Sequence, residues 1–217
     1  RPSAAVEQVG LAEGRGPYGV RHADADGNEV DLVPGDALGE GADTADWRAV
    51  FSAMACYHVT STRQQRELAH AAAALADEVG FPLIIDLRPG LVILDSGKDQ
   101  WDRDAHGLDL DFADLAGTLQ SAARELGGTA DPGLPRFVQL FLDAADLAAI
   151  RGFWLAALGY TADRRDGASD IFDPRRLNPV LVFQELDPAE TQRRRQRNRV
   201  HVELVVPADL AQLRLET

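Results

Sequence analysis

The chain has 217 residues, 22 of them basic and 35 acidic, for a formal net charge of −13. That is enough chain for one large or two small domains, and so acidic a balance argues against nucleic-acid binding, because neutralising phosphates needs an excess of Lys and Arg. No apolar run reaches the roughly 18 to 20 residues of a membrane span, and the single cysteine, Cys56, excludes an internal disulfide or a cysteine-based zinc site.

Residues 1–35 are strand-like. Tyr18-Gly19-Val20-Arg21-His22 suits a short strand. Asp24-Ala25-Asp26-Gly27-Asn28 suits a tight turn, with Asp-Gly supplying positive φ. Glu29-Val30-Asp31-Leu32-Val33 alternates polar and apolar residues, as a half-buried strand does, and Pro34-Gly35 ends it. Residues 36–45 are rich in Gly, Ala and acid, which suits a linker. The start, Arg1-Pro2-Ser3-Ala4-Ala5-Val6-Glu7, lacks the basic and apolar segments of a secretory signal. A reducing cytoplasm is the expected compartment.

The middle part runs from 46 to 128. Trp47, Val50, Phe51 and Met54 fall at helical spacing. Thr60-Ser61-Thr62 offers N-caps for a long helix through Val79, with Gly80 as its stop. Leu83–Arg88 and Leu91–Asp95 flank Pro89-Gly90, a hairpin signal. From Asp111 to Leu126 helical periodicity returns, with Phe112, Leu115, Leu119 and Ala122-Ala123 on one side. Helix, hairpin and helix predict a compact α+β unit.

The third part follows Asp131-Pro132-Gly133-Leu134-Pro135. Phe137–Leu142 suits a strand, Asp143–Ala157 an amphipathic helix stopped at Gly159, and Ile171–Pro174, Val180–Leu186 and Val200–Val206 three further strands. Ala208–Leu215 begins another helix. The order is β-α-β-β-β, with a second β-α begun and cut short.

Phe153-Trp154, Ala157-Leu158-Gly159-Tyr160, Asn178–Gln184 and Arg197–Leu204 within this repeat resemble the glyoxalase/bleomycin-resistance (vicinal oxygen chelate) superfamily, in its glyoxalase-like subgroup. The resemblance covers 134–217. It implies an α+β protein with paired βαβββ modules whose sheets curl round one cavity. His22–Val33 resembles the closing hairpin of a second module, so the modules are split between the chain ends. A circular permutation, a piece of a longer protein and missing residues would each explain this order; a piece of a longer protein is the simplest. Residues 46–128 are similar in layout to pterin-4a-carbinolamine dehydratase, but Gly80-Phe81-Pro82 stands where that family carries His-His-Pro, and Asp95-Ser96-Gly97-Lys98 replaces a later histidine. Dehydration needs proton-transfer groups, and Gly and Phe supply none, so this part is expected to be inactive towards pterins and to serve in dimerisation or packing.

The glyoxalase resemblance also implies a metal site, with Gln139, Gln184 (or its neighbour Glu185), His201 and Asp31 at the ligand positions. Zn, Ni, Mn or Fe would act there as a Lewis acid. His201 and Asp31 are good ligand types; the amides of Gln139 and Gln184 add no charge. The favoured expectation is a cavity lined by these groups without metal and without another cofactor. Gln184, Glu185 and Trp154 are the candidates for contact with substrate, in an enzyme of lyase or dioxygenase type or in a non-catalytic binder. Residual pterin dehydratase activity is the remaining alternative. A small-molecule ligand and a second copy of the chain are the expected partners, with no nucleic acid and no membrane.

Other residues have plainer expectations. His22 suits a surface or cavity position, His58 and His70 fall around the long helix, and His106 sits in a loop that the dehydratase resemblance would turn towards a pterin pocket. Cys56 suits a buried structural thiol. Lys98 is the only lysine, with no setting that recommends Schiff-base chemistry. Arg193–Arg199 is a basic island best explained as a solvated loop. Trp47, Trp101, Phe153 and Trp154 suit core or interface positions.

Overall fold

The computed structural model describes residues 12–15, 20–23, 25, 29–102, 106–165, 167–186 and 189. The chain divides into two compact units, Arg1–Arg136 and Phe137–Thr217.

The first unit opens with a three-stranded antiparallel sheet. Strands β1 (Ala12–Arg15), β2 (Val20–Ala23) and β3 (Glu29–Leu32) pair in that order. The expected hairpin is present, with Arg21 opposite Asp31 and His22 opposite Val30. Neighbouring residues of a strand face opposite ways, so Arg21 and Asp31 share one face and His22 lies on the other. Arg21 holds both Asp31 oxygens, at 2.8 and 2.9 Å, and reaches Glu29 at 3.0 Å. β1 was not predicted; its Ala-Glu-Gly-Arg sequence carries no β-branched residue.

Residues 36–45, expected as a linker, are instead structured. Strand β4 (Asp36–Ala37) pairs with β5 (Trp47–Ala49), and Ala42–Thr44 form one 3-10 turn. Groups 69 to 78 residues away in sequence hold this segment and the residues that follow it. Gln120 accepts from the Asp46 N–H at 2.9 Å and donates to Ala42 O at 2.8 Å. Trp47 Nε1 donates to Ala116 O at 3.0 Å. Buried Asp46 takes both arms of Arg124, at 2.7 and 3.0 Å, and the Tyr57 hydroxyl at 3.2 Å. Composition alone could not reveal partners so distant in sequence.

The helical spacing of Trp47, Val50, Phe51 and Met54 is overturned too. These residues form β5, a turn and strand β6 (Ala53–His58). Trp47, Ala53, Ala55, Tyr57 and Val59 are all buried at strand parity. Two small alanines weaken that period in the sequence, and four residues are too few to decide between periods.

The remaining middle elements form as expected. Helix α1 (Thr62–Val79) starts at Ser61, whose side chain accepts from the Gln64 N–H, and ends at Gly80 at φ +69°, a conformation that favours glycine. Strands β7 (Ile84–Arg88) and β8 (Leu91–Asp95) pair across Pro89-Gly90. Helix α2 (Phe112–Glu125) is capped by Asp111. Strand β9 (Thr129–Ala130) pairs with β6. The sheet runs β4-β5-β6-β8-β7. Trp47, Tyr57, Val92 and Leu94 meet Leu68 and Ala72 of α1 and Phe112, Leu115 and Leu119 of α2 in one core. Each fully buried large side chain there contributes roughly 1.5–3 kcal/mol through removal of apolar surface from water. Phe81 is also in this core and packs on Phe112 at 4.9 Å.

The second unit contains strands β10 (Gln139–Ala144), β11 (Thr161–Ala162), β12 (Ile171–Phe172) and β13 (Val180–Glu185), with helix α3 (Leu147–Leu158) after β10. Sheet order is β10-β13-β12-β11, and β10 and β13 are parallel. Asp146 caps α3, and Gly159 ends it at φ +66°. The β-α-β-β-β order therefore closes at Glu185. Its second strand is Thr161–Ala162, which is too short to show a period and was not predicted. The expected strand at Val200–Val206 and helix at Ala208–Leu215 lie outside the described residues. Ile171, Leu181 and Phe183 form a small core with Leu142, Trp154, Leu155 and Leu158.

Candidate functional site

Parity defines a second sheet face in the Phe137–Thr217 unit. Leu142, Leu181 and Phe183 pack towards α3, so Gln139, Phe141, Asp143, Val180, Val182 and Gln184 lie on the opposite face. The parallel register places Gln139 beside Val180, Phe141 beside Val182 and Asp143 beside Gln184. Phe172, next to core residue Ile171, shares this face and carries the Arg176 guanidinium 4.8 Å above its ring. Two amides thus stand at the ends of an apolar strip.

One atom on this face has no partner. Gln139 Oε1 is buried and accepts no hydrogen bond. A buried acceptor left unmatched costs about 1–3 kcal/mol, and it is matched by any group that brings an N–H or O–H.

The loop beside the face is rigidly held. Asp173, 1% exposed, accepts from Arg175 N and Nε at 3.0 and 3.1 Å and from Asn178 Nδ2 at 2.6 Å. Burial raises the Asp173 carboxyl, but the hydrogen bonds from Arg175 and Asn178 outweigh it and hold the group below its ordinary value. Tyr160 donates to Pro179 O at 3.1 Å. Asn178, part of the Asn-Pro segment that carries the family resemblance, is a brace for this loop.

The predicted site residues separate on this geometry. Gln139 and Gln184 share one sheet face. Glu185 has the opposite parity and is exposed. Trp154, partly buried, packs against the small core of this unit, edge-on to Phe153 at 5.4 Å. Asp31 belongs to the other unit. The hydrogen bond from Arg21 is the main cause holding its carboxyl below the ordinary value. His201 and the Arg193–Arg199 run lie outside the described residues. Phe141, Asp143, Val182 and Phe172 were not singled out from sequence, although alternation along Phe137–Leu142 and Val180–Leu186 carries the signal.

The described residues do not make a metal-ligand set. No group of three or more His, Cys, Asp or Glu side chains occurs among them in ligating reach. The sheet face offers the two neutral amides and the Asp143 carboxylate, and Asp31 has both oxygens on Arg21.

Other candidates resolve to structural roles. Cys56 is buried, and burial pushes its thiol up to about 11, so it is inert at neutral pH. His58 pairs with Asp131 at 3.2 Å at the surface, and His70 is exposed on α1. His22 is fully buried, and neither ring nitrogen has a hydrogen-bond partner. Lys98 pairs with Asp99 at 3.0 Å. None of the described helices is long and apolar enough to cross a membrane.

A family model described as Glyoxalase-like domain matches residues 139–216. The match supports the glyoxalase (vicinal oxygen chelate) superfamily for this segment. It does not extend to 46–128, where the dehydratase resemblance gains no support. No curated protein and no solved structure matches the chain.

Proposed function

We propose that the segment from Gln139 onward is a small-molecule binding domain of the glyoxalase-like type, whose ligand lies on the sheet face that carries Gln139 and Gln184. The buried, unmatched Gln139 Oε1 is the observation that carries this reading. The ligand presents an N–H or O–H to Gln139 and an apolar or aromatic body to Phe141, Val182 and Phe172. Binding without a metal is the favoured form, because the described residues of this face supply two neutral amides and a single carboxylate, Asp143, which fall short of a ligand set. The Gly80-Phe81 pair supports no dehydration chemistry: Gly80 caps a helix and Phe81 is buried in the core.

Calorimetric titration of the full chain with a panel of aromatic alcohols, amines and amides tests the proposal. One panel member is expected to bind, and Gln139→Leu to weaken it about tenfold, which corresponds to roughly 1.4 kcal/mol. No heat from any member would count against the reading. Metal analysis after incubation with Zn, Ni, Mn or Fe is expected to show no stoichiometric ion; an ion lost on His201→Ala would make the metal-dependent form the correct one.

A further inference from the structure

Residues 173–179 join β12 to β13 beside the face that carries Gln139. Arg176 stands in this loop at φ +57°. That is the left-handed region, which a side chain other than glycine enters at a cost of roughly 1–3 kcal/mol. The loop is held in that shape from within. Arg176 donates its N–H to the Asp173 carbonyl at 2.8 Å, and the buried Asp173 carboxyl accepts from Arg175 N and Asn178 Nδ2. Strain of this kind in non-glycine residues concentrates at ligand clamps and switches.

The Arg176 guanidinium lies 4.8 Å from the centre of the Phe172 ring. Ile171 pairs with Leu181 in the antiparallel β12–β13 ladder, so the next pair is Phe172 with Val180. Val180 in turn stands beside Gln139. Gln139, Val180 and Phe172 therefore form one row across three strands on the face away from α3, with about 10 Å between the outer Cα atoms. One end of the row holds an acceptor without a partner, the buried Gln139 Oε1. The other end holds a cation. The stack on Phe172 uses the flat side of the guanidinium, and its N–H donors lie along the edge, in the fork that matches a carboxylate.

We propose that Arg176 is a specificity residue of this face and selects ligands that carry a carboxylate opposite the N–H or O–H taken by Gln139. The proposal rests on the reading of the Gln139 face as the ligand site and names the class of molecule it takes: a small hydroxy- or amino-substituted carboxylic acid with an apolar or aromatic body between its polar ends. The net charge of −13 does not oppose this, because exposed charges further apart than about 8 Å are largely screened at physiological salt. Asp173, the acid nearest to Arg176 in sequence, has its carboxyl on Arg175 and Asn178. Asp143, the carboxylate on the face itself, lies four residues along β10 from Gln139, or about 13 Å.

Paired calorimetric titrations of the full chain with para-hydroxybenzoate and its neutral isostere para-hydroxybenzamide test this. The acid is expected to bind at least fivefold tighter. Glycine is at ease at φ +57°, so Arg176→Gly removes the charge without adding strain, and in that variant the preference for the acid is expected to fall below twofold. The Arg176 Nε signal, assigned by its loss in Arg176→Gly, is expected to shift as the acid saturates the wild-type chain. Equal affinities for the two probes would overturn the proposal and leave the reading of the face standing. An Arg176 Nε signal unmoved at saturation would overturn it as well. So would a fivefold preference that survives Arg176→Gly, which would put the carboxylate on another cation. Binding of neither probe would count against the face itself, and the proposal would fall with it.

Discussion

The middle sheet and the C-terminal sheet carry helices on one face, yet they are built to different depths. The middle core joins fifteen buried residues from three strands, two helices and their connections, and a buried Asp46 locks its entry segment to α2. Among the described residues, the C-terminal core has three buried members, Ile171, Leu181 and Phe183, and α3 has no buried residue. The difference teaches where the chain is stabilised and where it is left receptive. The middle sheet ties Asp46 and Trp47 to α2 through Gln120, Arg124 and Ala116, and the unmatched buried groups of its unit, on His22, Trp101 and His106, lie outside it. The C-terminal sheet leaves a buried amide oxygen unmatched on the face away from its helix.

Core truncations should break this comparison most sharply. Trp47→Ala is expected to cost about 3–5 kcal/mol in urea unfolding, since it empties a fully buried site and strips a donor from Ala116 O. Leu181→Ala is expected to cost less, about 2–3 kcal/mol, because the thinner core can collapse around the gap. Equal losses would mean that the two cores are equally packed. Asp46→Asn comes next, at about 1–2 kcal/mol, as Arg124 and Tyr57 lose their charged acceptor.

Titration gives smaller effects with defined signs. Burial is the largest cause raising the Cys56 thiol to about 11, followed by the charges of Asp131 and Asp95. The folded state therefore prefers the protonated thiol, and stability from this group is present below about pH 9 and lost as pH rises towards 11. A thiol-disulfide reagent at pH 8 should leave Cys56 unmodified until the chain is unfolded. Burial and Asp46 raise the Tyr57 phenol in the same direction, so an alkaline unfolding limb is expected and should shift in Tyr57→Phe. Asp31 runs the other way. Its carboxyl lies below the ordinary value, so its contribution is present above about pH 4 and lost as pH falls through the folded-state value. Arg21→Ala should return the Asp31 carboxyl to its ordinary value by NMR titration, with less than about 1 kcal/mol of stability lost at this partly exposed pair.

Local chemistry made much of the fold legible. Ser61, Gly80, Asp111 and Gly159 mark helix ends in sequence because capping is settled within a few residues. Pro89-Gly90 marks a reversal for the same reason. The segment at 36–45 was misread because its partners, Gln120 and Arg124, lie seventy-four and seventy-eight residues on from Asp46. Thr161–Ala162 was missed because two residues carry no period. At the candidate site, Gln139 and Gln184 were legible as polar residues within apolar strands. The faces of Trp154 and Glu185 were not legible, because side-chain direction depends on strand register and on which face the helix covers.

The central claim is that a ligand occupies the face of the C-terminal sheet away from α3. The most direct measurement is a ¹H–¹⁵N titration of the full chain that follows the side-chain amides of Gln139 and Gln184 with the best binder from the calorimetric panel. The account predicts saturable shifts of both amides, and loss of the Gln184 response in Gln139→Leu. Shifts confined to residues on the α3 side, such as the Trp154 indole, with both glutamine amides unmoved, would contradict it.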